Sequence, residues 1–277
     1  MIRQSLAVAM LAVAAVGAHG AALMPDFANV NAVPAAQHAP TGWYTDRYEP
    51  NSFSNVGSYQ GRSNVLGIGI SSAQDAANRG AQGGIFYNTQ GRQHLAAGGS
   101  GSSIAADLFV EQSWATGGNG NVRSDMWGIM SNNPLALPSA TADITAYPII
   151  GFTNYGGAAR YRVWDADVNG GSWINLNTTV NFGGWTAFEI LFTGAAFQYM
   201  IDGNVVYTDN TINGSQAFKG TIMQAYNFGD PTNLPDANLA PYTAHWSNAQ
   251  VVPEPGTLAL MGLALAGMVG VSRRKRA

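Results

Sequence analysis

From Gly42 to Val251 the chain alternates apolar and polar residues in short runs separated by Gly and Asn. A period of two bounded by turn residues is the pattern of half-buried strands. The runs predict strands at Val65–Ile70, Gly84–Tyr87, Ile104–Trp114, Met126–Met130, Tyr147–Phe152 and Tyr161–Asp165. Further strands are predicted at Trp173–Asn177, Trp185–Phe192, Phe197–Ile201, Val205–Thr208, Thr221–Asn227 and Tyr242–Val251. Only Ala73–Arg79 has room for a short helical turn, and no internal repeat is present. Many short strands with turns between them indicate a β-sandwich or barrel. The clearest hairpin joins Phe197–Ile201 to Val205–Tyr207 through Asp202-Gly203, a pair suited to the positive φ of a tight turn.

The two ends break this alternation. After Arg3 comes an uninterrupted apolar stretch, Leu6 to Ala18, followed by small residues. That order predicts a secretory signal peptide over residues 1–22, cleaved after Gly20 or Ala22. A core helix would leave a solvated face, which this stretch lacks. Residues 23–41, rich in Ala, Asn and Pro, predict an irregular lead-in to a β-sandwich domain over 42–251. At the other end Pro253-Glu254-Pro255 precedes an apolar run, Leu258 to Val271, and a basic tail over 273–276. As a helix that run would extend about 21 Å, short of a hydrocarbon core of roughly 30 Å. The four adjacent cations favour a membrane span held on the cytoplasmic side. Gly262, Ala266 and Gly270 form a small-residue stripe along it.

Val252-Pro253-Glu254-Pro255, a short apolar helix and an Arg-rich end together resemble the PEP-CTERM sorting signal of exopolysaccharide-producing Gram-negative bacteria. The resemblance implies processing by exosortase, a membrane protease, with signal peptidase acting at the N-terminus. It implies a protein anchored in the inner membrane before processing and released to the cell surface or extracellular matrix. Pro253, Glu254 and Pro255 are sorting determinants on this reading, not catalysts.

The sandwich also resembles a known superfamily. A Trp-led strand, Trp185 to Phe192, precedes a strand closing in Ile201-Asp202-Gly203, and the domain ends in Tyr242 to Val251. This succession is similar to the concanavalin A-like and laminin G-like jelly rolls. The resemblance implies an all-β jelly-roll sandwich of a kind that hosts both lectins and glycosidases.

Charge narrows the partners. Between Ala21 and Gln250 seven Arg and one Lys face 15 acidic residues, a net charge of −7. An acidic body with Lys219 as its one lysine is a poor phosphate binder, so nucleic acid is not expected. The chain has no Cys, which excludes disulfides, thiol nucleophiles and Cys-ligated zinc.

The search for chemistry along single strands finds little. The body has three Glu, at 49, 111 and 189, and none sits in the Glu-x-Asp-x-x-Glu pattern of laminarinase-type relatives. Asp107 and Glu111 share a strand face but lie about 13 Å apart, beyond glycosidase spacing, and read as a solvated face. There is no Gly-x-Ser-x-Gly elbow or His-Glu-x-x-His, and His38, His94 and His245 are widely spread. Asp165, Asp167 and Asn169 begin an Asp-x-Asp-x-Asn-Gly calcium loop, yet Leu176 stands where a bidentate Glu belongs. A plain hairpin turn accounts for the same residues. Otherwise no cofactor is expected.

The hairpin around that turn offers a binding face. Pairing Trp164 with Trp173 would put Arg160, Arg162, Trp164, Trp173, Asn175 and Asn177 on one side. Indoles, guanidiniums and amides together suit sugars; packing of Trp against Arg stems, or burial of this face under another sheet, accounts for the same residues. The sequence thus leads to the expectation of a non-enzymatic surface or matrix protein making lectin-like contact with exopolysaccharide. The alternatives are a glycan-cleaving enzyme of the same superfamily and a purely structural matrix component.

Overall fold

The computed structural model describes residues 27–32, 42–45, 48–71, 89–115, 122–133, 143–226 and 241–252. The expected signal peptide, most of the lead-in segment, the Gly84–Tyr87 strand, the Ala73–Arg79 turn and the helix at 258–271 lie outside them. Among the described residues no helix is long and apolar enough to cross a membrane. Among the described residues, fifteen strands form two antiparallel sheets. In chain order they are β1 (Tyr44–Thr45), β2 (Ser52–Asn55), β3 (Leu66–Ile70), β4 (Thr89–Gly98) and β5 (Ser103–Val110). Then come β6 (Arg123–Ser131), β7 (Ile144–Ala146), β8 (Ile149–Thr153), β9 (Arg160–Asp165) and β10 (Ser172–Asn175). The last five are β11 (Gly184–Phe192), β12 (Phe197–Ile201), β13 (Asn204–Asp209), β14 (Ala217–Tyr226) and β15 (Tyr242–Val252).

One sheet has the order β1-β4-β14-β6-β8-β9-β10, with β7 also paired to β6; the other is β13-β12-β11-β5-β15-β3-β2. Alternation drives the assembly, because each strand turns one set of side chains to a shared core. Leu66, Ile68, Ile104, Leu108, Phe188 and Ile190 meet Met126, Ile150, Phe152, Tyr161, Val163 and Met223 there. Several polar contacts cross between the sheets, two of them deep in the core. Trp246 Nε1 donates to Ser124 Oγ at 2.8 Å, and the Tyr161 and Thr186 hydroxyls lie 2.7 Å apart. Each satisfies polar groups that burial would otherwise penalise.

The Asp202-Gly203 turn forms as expected, with φ of 50° and 77°. Trp164 pairs with Trp173, the register that alternation predicts. The Ile104–Trp114 run differs: its strand stops at Val110, and Gln112–Ala115 form a 3-10 turn that buries Trp114. Strand β4 escaped the pattern because Thr-Gln-Gly-Arg-Gln-His-Leu-Ala-Ala-Gly has no apolar alternation; its pairing with β14 and β1 makes it a strand.

Candidate functional site

Strand register places two parallel rows of side chains across the outer face of the eight-stranded sheet. One runs Ile222 (β14), Trp127 (β6), Ile149 (β8), Trp164 (β9) and Trp173 (β10). With Ile129 and Tyr147 these residues make an apolar cluster separate from the main core. The adjacent row runs Gly91 (β4), Gln224 (β14), Asp125 (β6), Gly151 (β8), Arg162 (β9) and Asn175 (β10). At about 4.8 Å per strand, six strands make this row roughly 24 Å long. The next row contributes Arg123, Thr153 and Arg160. Among the described residues of these rows, Asp125 is the single carboxylate.

Asp125 is fully buried. Its Oδ2 accepts from Arg123 Nε, lies 3.9 Å from Arg162 Nη2 and accepts from Gln224 Nε2 at 3.3 Å. Its Oδ1 has no hydrogen-bond partner among the described residues, and neither has Gln224 Oε1. Gly151 leaves the room Oδ1 occupies: a Cβ there would come within 2.2 Å of it. Trp173 lies against both guanidiniums, its ring centroid 3.7 Å from Arg162 Cζ and 4.5 Å from Arg123 Cζ. Such stacking holds a guanidinium plane in one orientation. A buried carboxylate with one oxygen clamped by cations and the other unpartnered is equipped to accept a donor or move a proton.

The residues expected from the hairpin are only partly brought to this place. Arg162, Trp164 and Trp173 join it, with Asn175 at its exposed end. Arg160 turns aside, donating to Asn175 Oδ1 at 2.8 Å and to the carbonyls of Ala158 and Tyr155. Asn177 is exposed beyond the end of β10. Arg123, Asp125, Trp127 and Gln224 were not anticipated. The alternation Arg123-x-Asp125-x-Trp127 was the available signal for three of them.

A second cluster involves the expected calcium residues. Asp165 and Asp167 are joined by Asp209 of β13, and one carboxylate oxygen from each lies within 4.8 Å of the others. This group could hold a metal ion. Asn169 stands in the intervening turn at φ 54°. Asp165 Oδ1 accepts from the backbone N–H groups of Asp167 and Val168, and its Oδ2 accepts from the Tyr207 hydroxyl at 2.6 Å. Burial raises the Asp165 carboxyl, but these bonds outweigh it and leave it below its ordinary range. Asp209 is held above its ordinary range by burial, with the charges of Asp165 and Asp167 adding to the effect. Hydrogen bonding to Asp165, burial and the surrounding acids push the Tyr207 hydroxyl up to about 12.

On the opposite sheet, Asp107 and Glu111 are not the open solvated face expected. A hairpin over residues 56–65 lies on them: Arg62 pairs with Asp107 and stacks over Trp185, while Tyr59 donates to Glu111 at 2.7 Å. Tyr59 also stacks on His245 at 3.7 Å, and His245 Nδ1 is 3.4 Å from Glu111 Oε1. Burial raises Glu111, but the His245 and Tyr59 contacts more than offset it and its carboxyl falls below 4.5. Glu111 therefore adds stability above that value, lost as pH falls through the folded-state pKa. Glu111→Gln should lower the melting temperature near neutral pH, by an amount equivalent to at most ~1 kcal/mol at this partly exposed site. The difference from the parent protein should shrink as pH is lowered below the ordinary Glu range and Glu111 takes up its proton; a constant difference into acid would show that the charge is not involved.

The fold is an all-β sandwich of two antiparallel sheets. Solved structures similar to it include a sialidase, 10% identical over 77% of this chain with a TM-score of 0.45; the chain spans only 17% of that protein. A β-glucanase of Bacillus licheniformis is 13% identical, with 82% of this chain and 95% of that one covered and a TM-score of 0.43. An endo-β-1,4-glucuronan lyase of the fungus Trichoderma reesei is 13% identical over 77% of this chain and 92% of that one, with a TM-score of 0.45. A comparison with curated protein sequences returned no match.

At its C-terminal end, over residues 251–275, the chain carries the PEP-CTERM protein-sorting motif. That motif implies an exported protein processed by exosortase.

Against the expectation of a non-enzymatic, lectin-like protein, the solved structures similar in fold include glycoside hydrolases and a lyase, beside one carbohydrate-binding module. The expectation rested on the lack of a catalytic pattern along any one strand. Side chains converging from β6, β9 and β14 leave no such pattern in the sequence.

Proposed function

We infer that the protein is an exported glycan-cleaving enzyme working at the outer face of the eight-stranded sheet. Asp125 is the group that moves the proton. The observation carrying this is the Asp125 carboxylate, buried with Oδ2 clamped and Oδ1 unpartnered above Gly151. The apolar row beside it supplies flat rings for the C–H faces of sugars. A face of this length fits an extended polymer better than a small molecule. Trp173, on the short edge strand β10, lies over the guanidiniums. Export through the signal peptide at 1–22, anchoring by the helix at 258–271 and release to the Gram-negative cell surface would bring the enzyme to exopolysaccharide. The test is incubation of the full chain with purified matrix polysaccharides, followed by size-exclusion chromatography and reducing-end assay. Shortened chains support the proposal; unchanged size profiles across the producer's own polysaccharides would sink it.

The ion suited to Asp165, Asp167 and Asp209 is calcium, a hard cation that takes carboxylate oxygens. Binding would relieve the repulsion from Asp165 and Asp167 that adds to the effect of burial in raising Asp209. At calcium a hundredfold above its Kd, linkage predicts a stabilisation of about 2.7 kcal/mol, or a Tm gain of roughly 5–10 °C. Thermal melts with calcium and with chelator measure it. Asp209→Asn should abolish the gain, and equal melting temperatures in the parent protein would remove calcium from the account.

A further inference from the structure

We propose that a hollow at Glu111, on the outer face of the seven-stranded sheet, binds a sugar through its free amino group. That the amine is carried on a sugar rests on the glycan reading above; the preference for an ammonium rests on the hollow alone. Strand β15 alternates here, with Ala244 and Trp246 in the core and Thr243 and His245 on the outer side. Next to it the chain leaves β5 through Glu111 and enters the 3-10 turn at Gln112–Ala115. Between the two is a space of about 310 Å³, whose lining includes Glu111, Ser113, Pro241, Thr243 and His245. That volume lies at the lower end of the range for small-molecule pockets, the scale of a single sugar unit.

The hollow is negative for a local reason. Burial raises the Glu111 carboxyl, but the His245 and Tyr59 contacts outweigh it and hold the group below its ordinary range, so it is ionised at neutral pH. Both contacts fall on one oxygen: the Tyr59 hydroxyl donates to Oε1 at 2.7 Å, and His245 Nδ1 lies 3.4 Å from that same atom. Tyr59 stacks on the imidazole and keeps both groups on the Oε1 side. Oε2 has no partner among the described residues, and the side chain is 24% exposed. Among the described residues lining the hollow there is no Arg or Lys. A primary ammonium brings three N–H donors and no acceptor. The carboxylate and the hydroxyls of Ser113 and Thr243 are acceptors of the matching kind, and a charge-assisted bond is the stronger sort. An N-acetylated amine has a single N–H and no charge, so it would crowd the carboxylate without compensating its lost hydration.

The experiment titrates the full chain by calorimetry with three β-1,4-linked tetramers: of glucosamine, of N-acetylglucosamine and of glucose. It is run near neutral pH at about 0.15 M salt, where attraction between exposed charges fades beyond roughly 8 Å. The amine tetramer is expected to bind at least about tenfold tighter than either neutral one. Because the body carries −7, cations are drawn to it generally, and Glu111→Gln identifies the place. That variant should erase the ratio while remaining folded, which melts run alongside verify. A ratio that survives Glu111→Gln, equal binding of the three tetramers, or binding of none overturns the proposal. Nα-acetyl-lysine amide is titrated as well; if it binds as tightly as the amine tetramer, an ammonium is read without its sugar and the assignment to a sugar falls. The two sites are told apart by crossing the assays. Glu111→Gln should shorten matrix polysaccharide at the parent rate, and Asp125→Asn should keep the amine preference. An amine preference in a chain that cleaves nothing upholds this site and counts against the enzyme.

Discussion

Asp125→Asn is expected to lower the rate of glycan cleavage by about 10²–10⁴-fold, the usual loss when a proton-transferring group is removed. The amide preserves the shape of the carboxylate and still has an oxygen to place above Gly151. It cannot carry a proton between substrate atoms. The substitution also leaves Arg123 beside a neutral group in a buried setting, and breaking a buried pair commonly costs 3–5 kcal/mol. The two effects separate cleanly by measurement. Initial rates are taken well below the melting temperature of the variant, with melts run alongside. A folded variant that keeps the parent rate would remove Asp125 from the chemistry, whatever its effect on stability. Arg162→Gln in the same assay marks the difference between holding substrate and reacting with it. If Arg162 holds substrate and does not react with it, its loss should show mainly in KM.

Much of the fold was legible because the information was local. Phe197 to Ile201 alternates cleanly, and Asp202-Gly203 allows a tight turn, so the hairpin could be read from eleven consecutive residues. The pairing of Trp164 with Trp173 followed in the same way from two alternating segments and a short connection. Strand β4 was hidden because its residues are polar and its partners, β1 and β14, lie far away in the chain. Such a strand exists by virtue of its neighbours, and no window along the sequence contains them.

The site was less legible for a related reason. A search for paired carboxylates on one strand looks along the chain, whereas this site runs across it. Asp125, Arg162 and Gln224 become neighbours only when β6, β8, β9 and β14 take their order in the sheet. The calcium residues show the same limit in smaller form. Asp165 and Asp167 were visible as a turn motif, but Asp209 joins them from β13. Arg162 was named for its alternation and expected on an outer face, yet it is buried under Trp173. Alternation assigns a residue to a side of a sheet; what covers that side is decided elsewhere.

Gly151→Ala should be among the most destabilising single changes available, because no room exists for even one methyl group. An added Cβ would lie 2.2 Å from Asp125 Oδ1 and 2.4 Å from the Ser124 carbonyl oxygen. The first obstacle is a side chain and can shift; the second is the backbone of the neighbouring strand and cannot move without breaking β6–β8 pairing. Overpacking of this kind costs about 3 kcal/mol, which for a domain of this size lowers Tm by roughly 6–12 °C. Gly157→Ala is the control, since its nearest neighbour would be Arg160 Nη1 at 3.7 Å, an ordinary contact. Adding Asp125→Ala to Gly151→Ala removes the first obstacle and leaves the second. The double variant should therefore show favourable coupling between the two sites without returning to the stability of Asp125→Ala alone. Additive losses would mean that Asp125 does not lean over Gly151. Its unpartnered oxygen would then point elsewhere, and the acceptor on which the proposed chemistry depends would not lie above Gly151.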